Sequence, residues 1–258
     1  MCLVTFIKDG HPDYPFIFVA NRDEAYDRPA VALHRWVDDP AVTAGIDLKE
    51  FGTWLGYTDS GRFIAVLNHP FTNWKPTATF PRSRGQLLRD YLTEKVSIAE
   101  FEKYLKTNRT KYNGFHLLFG TFEDLRYYSN VENRFQTFKP GVHCLTNTLD
   151  DLSNYRRDRS GALLKAYVAN HSERLKIEEL TALLADKQIA ETLEVYPKEL
   201  DYETALNHSS IFIQGEDFGT VGTTAILVGK DGKIRTREVK YNRTGITETT
   251  TKEQQLNI

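Results

Sequence analysis

The residue with the most chemical potential stands at position 2. Cys2 follows Met1 directly, and a small second residue generally permits removal of the initiator methionine. That would leave a free α-amine on the carbon that carries the thiol. An α-amine titrates near pH ~8 and a free thiol near ~8.5, so the amine can take the thiol proton, directly or through water. One residue would then be nucleophile and base together. The competing reading is that Cys2 is a small hydrophobe filling a strand, as cysteines often are. Cys144, which follows His143 in a strand-like run, is expected to be a buried core residue of that kind.

A second polar constellation, Asn21-Arg22-Asp23-Glu24, closes the apolar run Phe16–Ala20 and is followed by Tyr26, Asp27, Arg28 and Pro29. An adjacent antiparallel strand would bring this charge beside the Cys2 amine. Asp23 could fix the amine by hydrogen bonding, and Arg22 could stabilise a thiolate or hold a substrate carboxylate. The bland alternative is a solvated turn with a local salt bridge.

These residues need a framework, and the pattern along the chain supplies one. Cys2–Ile7 and Phe16–Ala20 are β-branched and aromatic, and the turn-forming segment Asp9–Asp13 joins them. Thr53–Thr58 and Arg62–Leu67 form a second hairpin across Asp59-Ser60-Gly61. Leu87, Leu88, Tyr91 and Leu92 share one helical face behind Ser83 as a cap, and a shorter helix is expected over Ile98–Leu105. Strands are expected at Phe115–Thr121, Leu125–Ser129, Phe135–Phe138 and Val142–Leu145, then helices at Tyr155–Ala169 and Ile177–Ala185. Thr223–Val228 and Ile234–Val239 read as a last pair of strands, and the polar stretch 247–258 as a loose tail. This alternation predicts an α+β fold, a four-layer αββα sandwich of two antiparallel sheets, as a single domain over 1–258.

Composition narrows the function classes. The 258 residues are 40% hydrophobic, 12% aromatic and carry a formal net charge of -2. No basic block supports a nucleic-acid role. No run is long and apolar enough to span a bilayer, and the Cys2–Ile7 run is too short for a signal-peptide core, so a cytoplasmic protein that does not span the membrane is expected. Two cysteines without a CxxC pair form neither a disulfide framework nor a structural zinc site, which predicts reduced thiols and no metal.

Several short motifs in order carry a resemblance: Met1-Cys2, Asn21-Arg22-Asp23-Glu24 with Arg28-Pro29, and Gly52-Thr53-Trp54-Leu55-Gly56. Gly61 to Asn68, Arg84-Gly85, Tyr112-Asn113-Gly114-Phe115, Leu145-Thr146-Asn147, Gly219-Thr220 and Thr223–Val228 continue the series. The chain resembles the NRDE family, also called the Transport and Golgi organization protein 2 family, over nearly its whole length. More distantly it is similar to cysteine-type N-terminal-nucleophile amidases. That resemblance implies Cys2 as nucleophile, Asn68 and Asn147 as side-chain donors to an oxyanion, and Asp23 as the residue that holds the amine. Arg22, by its charge, and His69, which stands beside Asn68, are expected at the substrate, as is Trp54, whose flanking glycines suit a residue filling a core or pocket wall. In the amidases the Arg and Asp stand a few positions apart, whereas Arg22 and Asp23 are adjacent, and no late arginine is matched.

Two functions follow as expectations. One is an amidohydrolase or thioesterase that needs no cofactor for catalysis. The other is a carrier or chaperone for a haem or lipid-like ligand with a role in intracellular trafficking, in which Cys2 or a histidine would bind haem noncovalently, since CxxCH is absent.

Overall fold

The computed structural model describes residues 2–69, 80–147, 154–171 and 173–257. Met1, on whose removal the proposed chemistry depends, lies outside them. The chain begins with β1 (Cys2–Lys8), β2 (Phe16–Ala25), β3 (Ala30–Arg35), β4 (Val42–Asp47), β5 (Leu55–Thr58) and β6 (Arg62–Asn68). Helices α1 (Arg84–Thr93) and α2 (Ile98–Asn108) follow, then β7 (Phe115–Thr121), β8 (Leu125–Ser129), β9 (Arg134–Thr137) and β10 (Gly141–Leu145). The last part holds α3 (Tyr155–Asn170), α4 (Ile177–Leu183), α5 (Tyr202–Asn207), β11 (Phe218–Val228), β12 (Lys233–Asn242) and β13 (Gly245–Gln255).

Two compact units emerge from these elements. The first comprises Met1–Asp27 and Lys139–Gln254, the second Arg28–Phe138 and Gln255–Ile258. In the first, six strands run in the order β10-β1-β2-β11-β12-β13. Alternate residues of these strands, Leu3, Ile7, Ile17, Val19, Ala225 and Leu227, pack with Leu164, Leu180 and Leu184 from the α3 and α4 region. Each of the buried Val, Leu and Ile side chains contributes about 1.5–3 kcal/mol by leaving water. The second unit is a seven-stranded meander, β3 to β9 in sequence order. On it sit α1 and α2, and the face of α1 read from the sequence, Leu87, Leu88, Tyr91 and Leu92, is buried together with Phe101 and Leu105. Ser83 caps α1 through the Gln86 N–H, and Ser97 with Glu100 forms a reciprocal capping box on α2.

Three sequence expectations are corrected. Asn21-Arg22-Asp23-Glu24 is no turn: β2 runs on through it, with Asn21 and Asp23 buried and Arg22 and Glu24 half-buried. Period-two alternation persists there in polar residues, which an apolar pattern does not register. Residues 247–255 are not a loose tail but most of β13. Its threonines suit a strand, and Arg235–Glu253 and Lys240–Glu248 ion pairs tie it to β12. Finally β3, β4 and α5 form where the sequence pattern predicts no element: the apolar run of β3 is only the four residues Ala30–Leu33, β4 is broken by Thr43 and Gly45, and α5 is only six residues long.

Candidate active site

Strand register brings the N-terminal cysteine to its neighbours. Cys2 pairs with Arg22 across β1 and β2, and Val4 pairs with Leu145 across β1 and β10. Extending that second register by two residues brings Asn147 level with Cys2. The Cys2 N–H donates to Asn147 Oδ1 at 2.5 Å. In a chain lacking Met1 that nitrogen is the α-amine, so the side chain already in contact with the prospective base is Asn147. Its Oδ1 takes up the nitrogen, and its Nδ2 carries the two N–H donors that an oxyanion needs.

The sulfur sits in a mixed environment. Burial, foremost, pushes the Cys2 thiol above its ordinary value, and the Asp23 carboxylate adds to the rise. The Asp23 backbone N–H, donating to sulfur, and the Arg22 guanidinium pull the other way. The balance keeps a thiol rather than a thiolate at neutral pH, so a base must remove its proton as sulfur attacks.

Adjacent positions on β2 point to opposite faces, and that divides the labour between Arg22 and Asp23. Arg22 shares the face of its partner Cys2. Asp23 projects towards the helix side, where Arg156 Nη2 donates to its Oδ2 at 2.9 Å and Thr220 Oγ1 to its Oδ1 at 2.7 Å. The Asp23 side chain is fully buried and that of Arg156 only 5% exposed, so each charge depends on the other. Arg156 also donates to the Ile211 carbonyl at 3.0 Å. Two strand positions away, Asn21 donates to the carbonyls of Leu184 and Ile211, both at 2.9 Å, and accepts from Thr223 Oγ1 at 2.7 Å. Asn21 and Asp23 thus fasten the sheet to its helical layer, while Arg22 and the Asp23 backbone address the cysteine.

Arg156, Thr220 and Asn147 are where the site depends on distant chain, and only Asn147 is on the sequence-derived set. A signal for Arg156 exists: it falls on the buried stripe of α3 with Ser160, Leu164, Tyr167 and Val168, and a charge on such a stripe requires a buried partner. His208, just past α5, was also missed. Its ring lies 5.6 Å from that of Phe218, and burial, followed by the nearby Arg156 charge, lowers its pKa below the ordinary imidazole value.

The other expected site residues belong to the second unit. Asn68 is half-buried, ends β6 and pairs with Phe115 of β7. His69 is 4% exposed, its ring 4.7 Å from that of His116, and burial lowers its pKa. Trp54 is half-buried just before β5, its indole so close over Gly45 that an added Cβ there would come within 2.4 Å. Gly52, from the same motif, meets the backbone at Gly85, where a Cβ would stand 2.2 Å from a carbonyl carbon; close backbone approach explains that glycine. Cys144, expected to be a buried core residue, is half-buried, and its thiol bonds to Thr5 and Ser160.

Two antiparallel sheets, each with its own helices and one opening on Cys2, define an α+β protein of the N-terminal-nucleophile hydrolase fold. A conjugated bile acid hydrolase from Clostridium perfringens superposes with a TM-score of 0.53 over 98% of this chain and 97% of that one, at 12% identity. The Caenorhabditis elegans orthologue of N-acylethanolamine-hydrolyzing acid amidase gives 0.50 over 88% and 92%, at 11% identity. At such identities the likeness speaks for the fold alone, and it bears out the αββα class expected from the sequence. Residues 1–243 match the family model Transport and Golgi organisation 2. The chain is 30% identical to the Transport and Golgi organization protein 2 homolog of Bos taurus and 27% identical to that of Homo sapiens, covering 91% of each. It belongs to the Transport and Golgi organisation 2 family.

Proposed function

We propose that this chain is a thiol hydrolase in which Cys2, uncovered by loss of Met1, cleaves an amide or thioester. The observation that carries the reading is the contact between the Cys2 nitrogen and Asn147 Oδ1. In the attack, the sulfur bonds to the substrate carbonyl carbon while the thiol proton passes to the α-amine, and the carbonyl oxygen becomes an oxyanion facing the Asn147 amide. Collapse expels the amine or thiol leaving group, which takes the proton from the α-ammonium. Water then attacks the thioester and regenerates Cys2. Arg22 enters as the cation beside the sulfur on the strand register. Fold likeness to hydrolases of small-molecule amides supports the same class.

The carrier reading has less behind it. It rests on the resemblance alone, with Cys2 or a histidine as the iron ligand. Intact-mass analysis followed by labelling with an activated acyl ester and peptide mapping tests the hydrolase. A mature chain lacking Met1 and acylated at Cys2 is expected. Retained methionine in the native protein, or a Cys2 that stays unmodified in the folded state, would overturn it.

A further inference from the structure

On the face of the six-stranded sheet that bears Cys2, one row of residues continues away from the nucleophile. Cys2 pairs with Arg22, Arg22 with Gly222, and Gly222 with Lys240. Residues directly opposite in antiparallel strands share a face, so the Arg22 and Lys240 side chains rise on either side of a position that has none. Lys240 is half-buried and forms an ion pair with Glu248 at 3.7 Å.

Nothing among the described residues explains the glycine. Gly219 nearby is glycine for lack of space, since a Cβ there would fall 2.1 Å from the Tyr26 hydroxyl. Among the described residues a Cβ at Gly222 would meet nothing nearer than the Val239 carbonyl oxygen at 3.9 Å, and the backbone is outside the left-handed region. The bulge between Thr220 and Gly222 places no demand on it for the same reason. A strand glycine that neither sterics nor backbone requires marks a place where something else comes close.

We propose that the gap over Gly222, flanked by Arg22 and Lys240, receives a carboxylate at the far end of the substrate's acyl chain. Two strand spacings, about 10 Å, separate this gap from Cys2. The substrate class is therefore an amide or thioester of an acid with a second, terminal carboxylate, with the scissile carbonyl at Cys2 and the anion over Gly222. Arg22 then has a defined duty, serving both the sulfur beside it and the anion beyond it. This rests on the reading of Cys2 as the acylated residue, and the test separates the two.

Mature protein is treated with the 4-nitrophenyl monoester of octanedioic acid and, in parallel, with 4-nitrophenyl octanoate. In each, the sulfur–acyl bond forms as the ester C–O bond breaks, and the thiol proton leaves through the α-amine to nitrophenolate. The diacid ester is expected to acylate Cys2 roughly tenfold faster at low salt, the scale of one charged hydrogen bond. The preference should shrink as salt rises and collapse towards unity in Gly222→Val and in Lys240→Gln, with thermal unfolding as the check that each variant folds. Equal rates in the wild type, or a preference that survives both substitutions, would refute the slot. If neither ester acylates Cys2, the hydrolase reading fails. The slot is then judged by calorimetric binding of octanedioate to Cys2→Ala: binding abolished by adding Gly222→Val sustains it, and no binding to Cys2→Ala ends it.

Discussion

Replacing Arg156 by methionine keeps the apolar length of the side chain and removes its charge from a place where solvent cannot replace it. The Asp23 carboxylate, fully buried, would keep Thr220 Oγ1 at 2.7 Å and lose the guanidinium at 2.9 Å. The Ile211 carbonyl would lose the donor at 3.0 Å. Breaking a buried pair from one side costs about 3–5 kcal/mol, because the remaining charge is left uncompensated. At roughly 2–4 °C per kcal/mol for a chain of this size, the midpoint should fall by about 6–20 °C. Urea unfolding and a thermal scan both read this. The double variant Asp23→Asn/Arg156→Met should recover a large part of the loss, since the stranded charge is gone. A functional consequence follows, because the Asp23 N–H donates to the Cys2 sulfur: the single variant should also acylate more slowly. An Arg156→Met protein within 1 kcal/mol of wild type, or a double variant no more stable than the single, would refute the assignment of this pair as interdependent.

Three further outcomes are expected. Asn147→Ala should slow acylation of Cys2 by about 10²–10³-fold through loss of an oxyanion donor while the thiol still reacts with iodoacetamide; undiminished acylation would remove Asn147 from the chemistry. Burial pushes Tyr128 and Tyr167 up to about 12, so the folded state holds their protons more tightly than the unfolded chain. The stability this contributes is present below the ordinary tyrosine value near ~10 and is lost as pH climbs towards 12. Phenolate absorbance should therefore show a late fraction that appears together with unfolding, and a single step near 10 would contradict it. Burial lowers His69 and His208, so the stability they contribute is present above the ordinary value of about 6.5 and declines as pH falls below it. Urea midpoints between pH 7 and 5 should drop, and by less in His208→Asn; identical slopes in the two proteins would count against that histidine.

Much of the framework was legible because it rests on local patterns. The hairpin β5–β6, the meander β7–β8 and the buried face of α1 follow from alternation, a glycine turn and helical spacing within short windows. The Asn21–Glu24 segment was located as the partner of Cys2 but misread in form, because its strand alternation is carried by polar residues whose burial depends on hydrogen bonds from elsewhere. Strand β13 was missed for a related reason. Thr-rich and charged, it is held at the sheet edge by pairing with β12, and composition alone does not distinguish it from an unstructured tail.

The sequence by itself determined that a cysteine would open the first strand and that a short hairpin would deliver Arg22 to its side, since both facts need only neighbouring residues and a turn. The tertiary structure decided which groups meet them. Asn147 reaches the Cys2 nitrogen across 145 positions, Arg156 reaches Asp23 across 133, and Thr220 reaches it across 197. It also decided that Asp23 would face the helices while Arg22 faced the sulfur, and that Gly222 would leave a gap in the row between Arg22 and Lys240. A strand pattern records its period and its faces, but the register that sets one strand against another is fixed by the packing of the whole sheet.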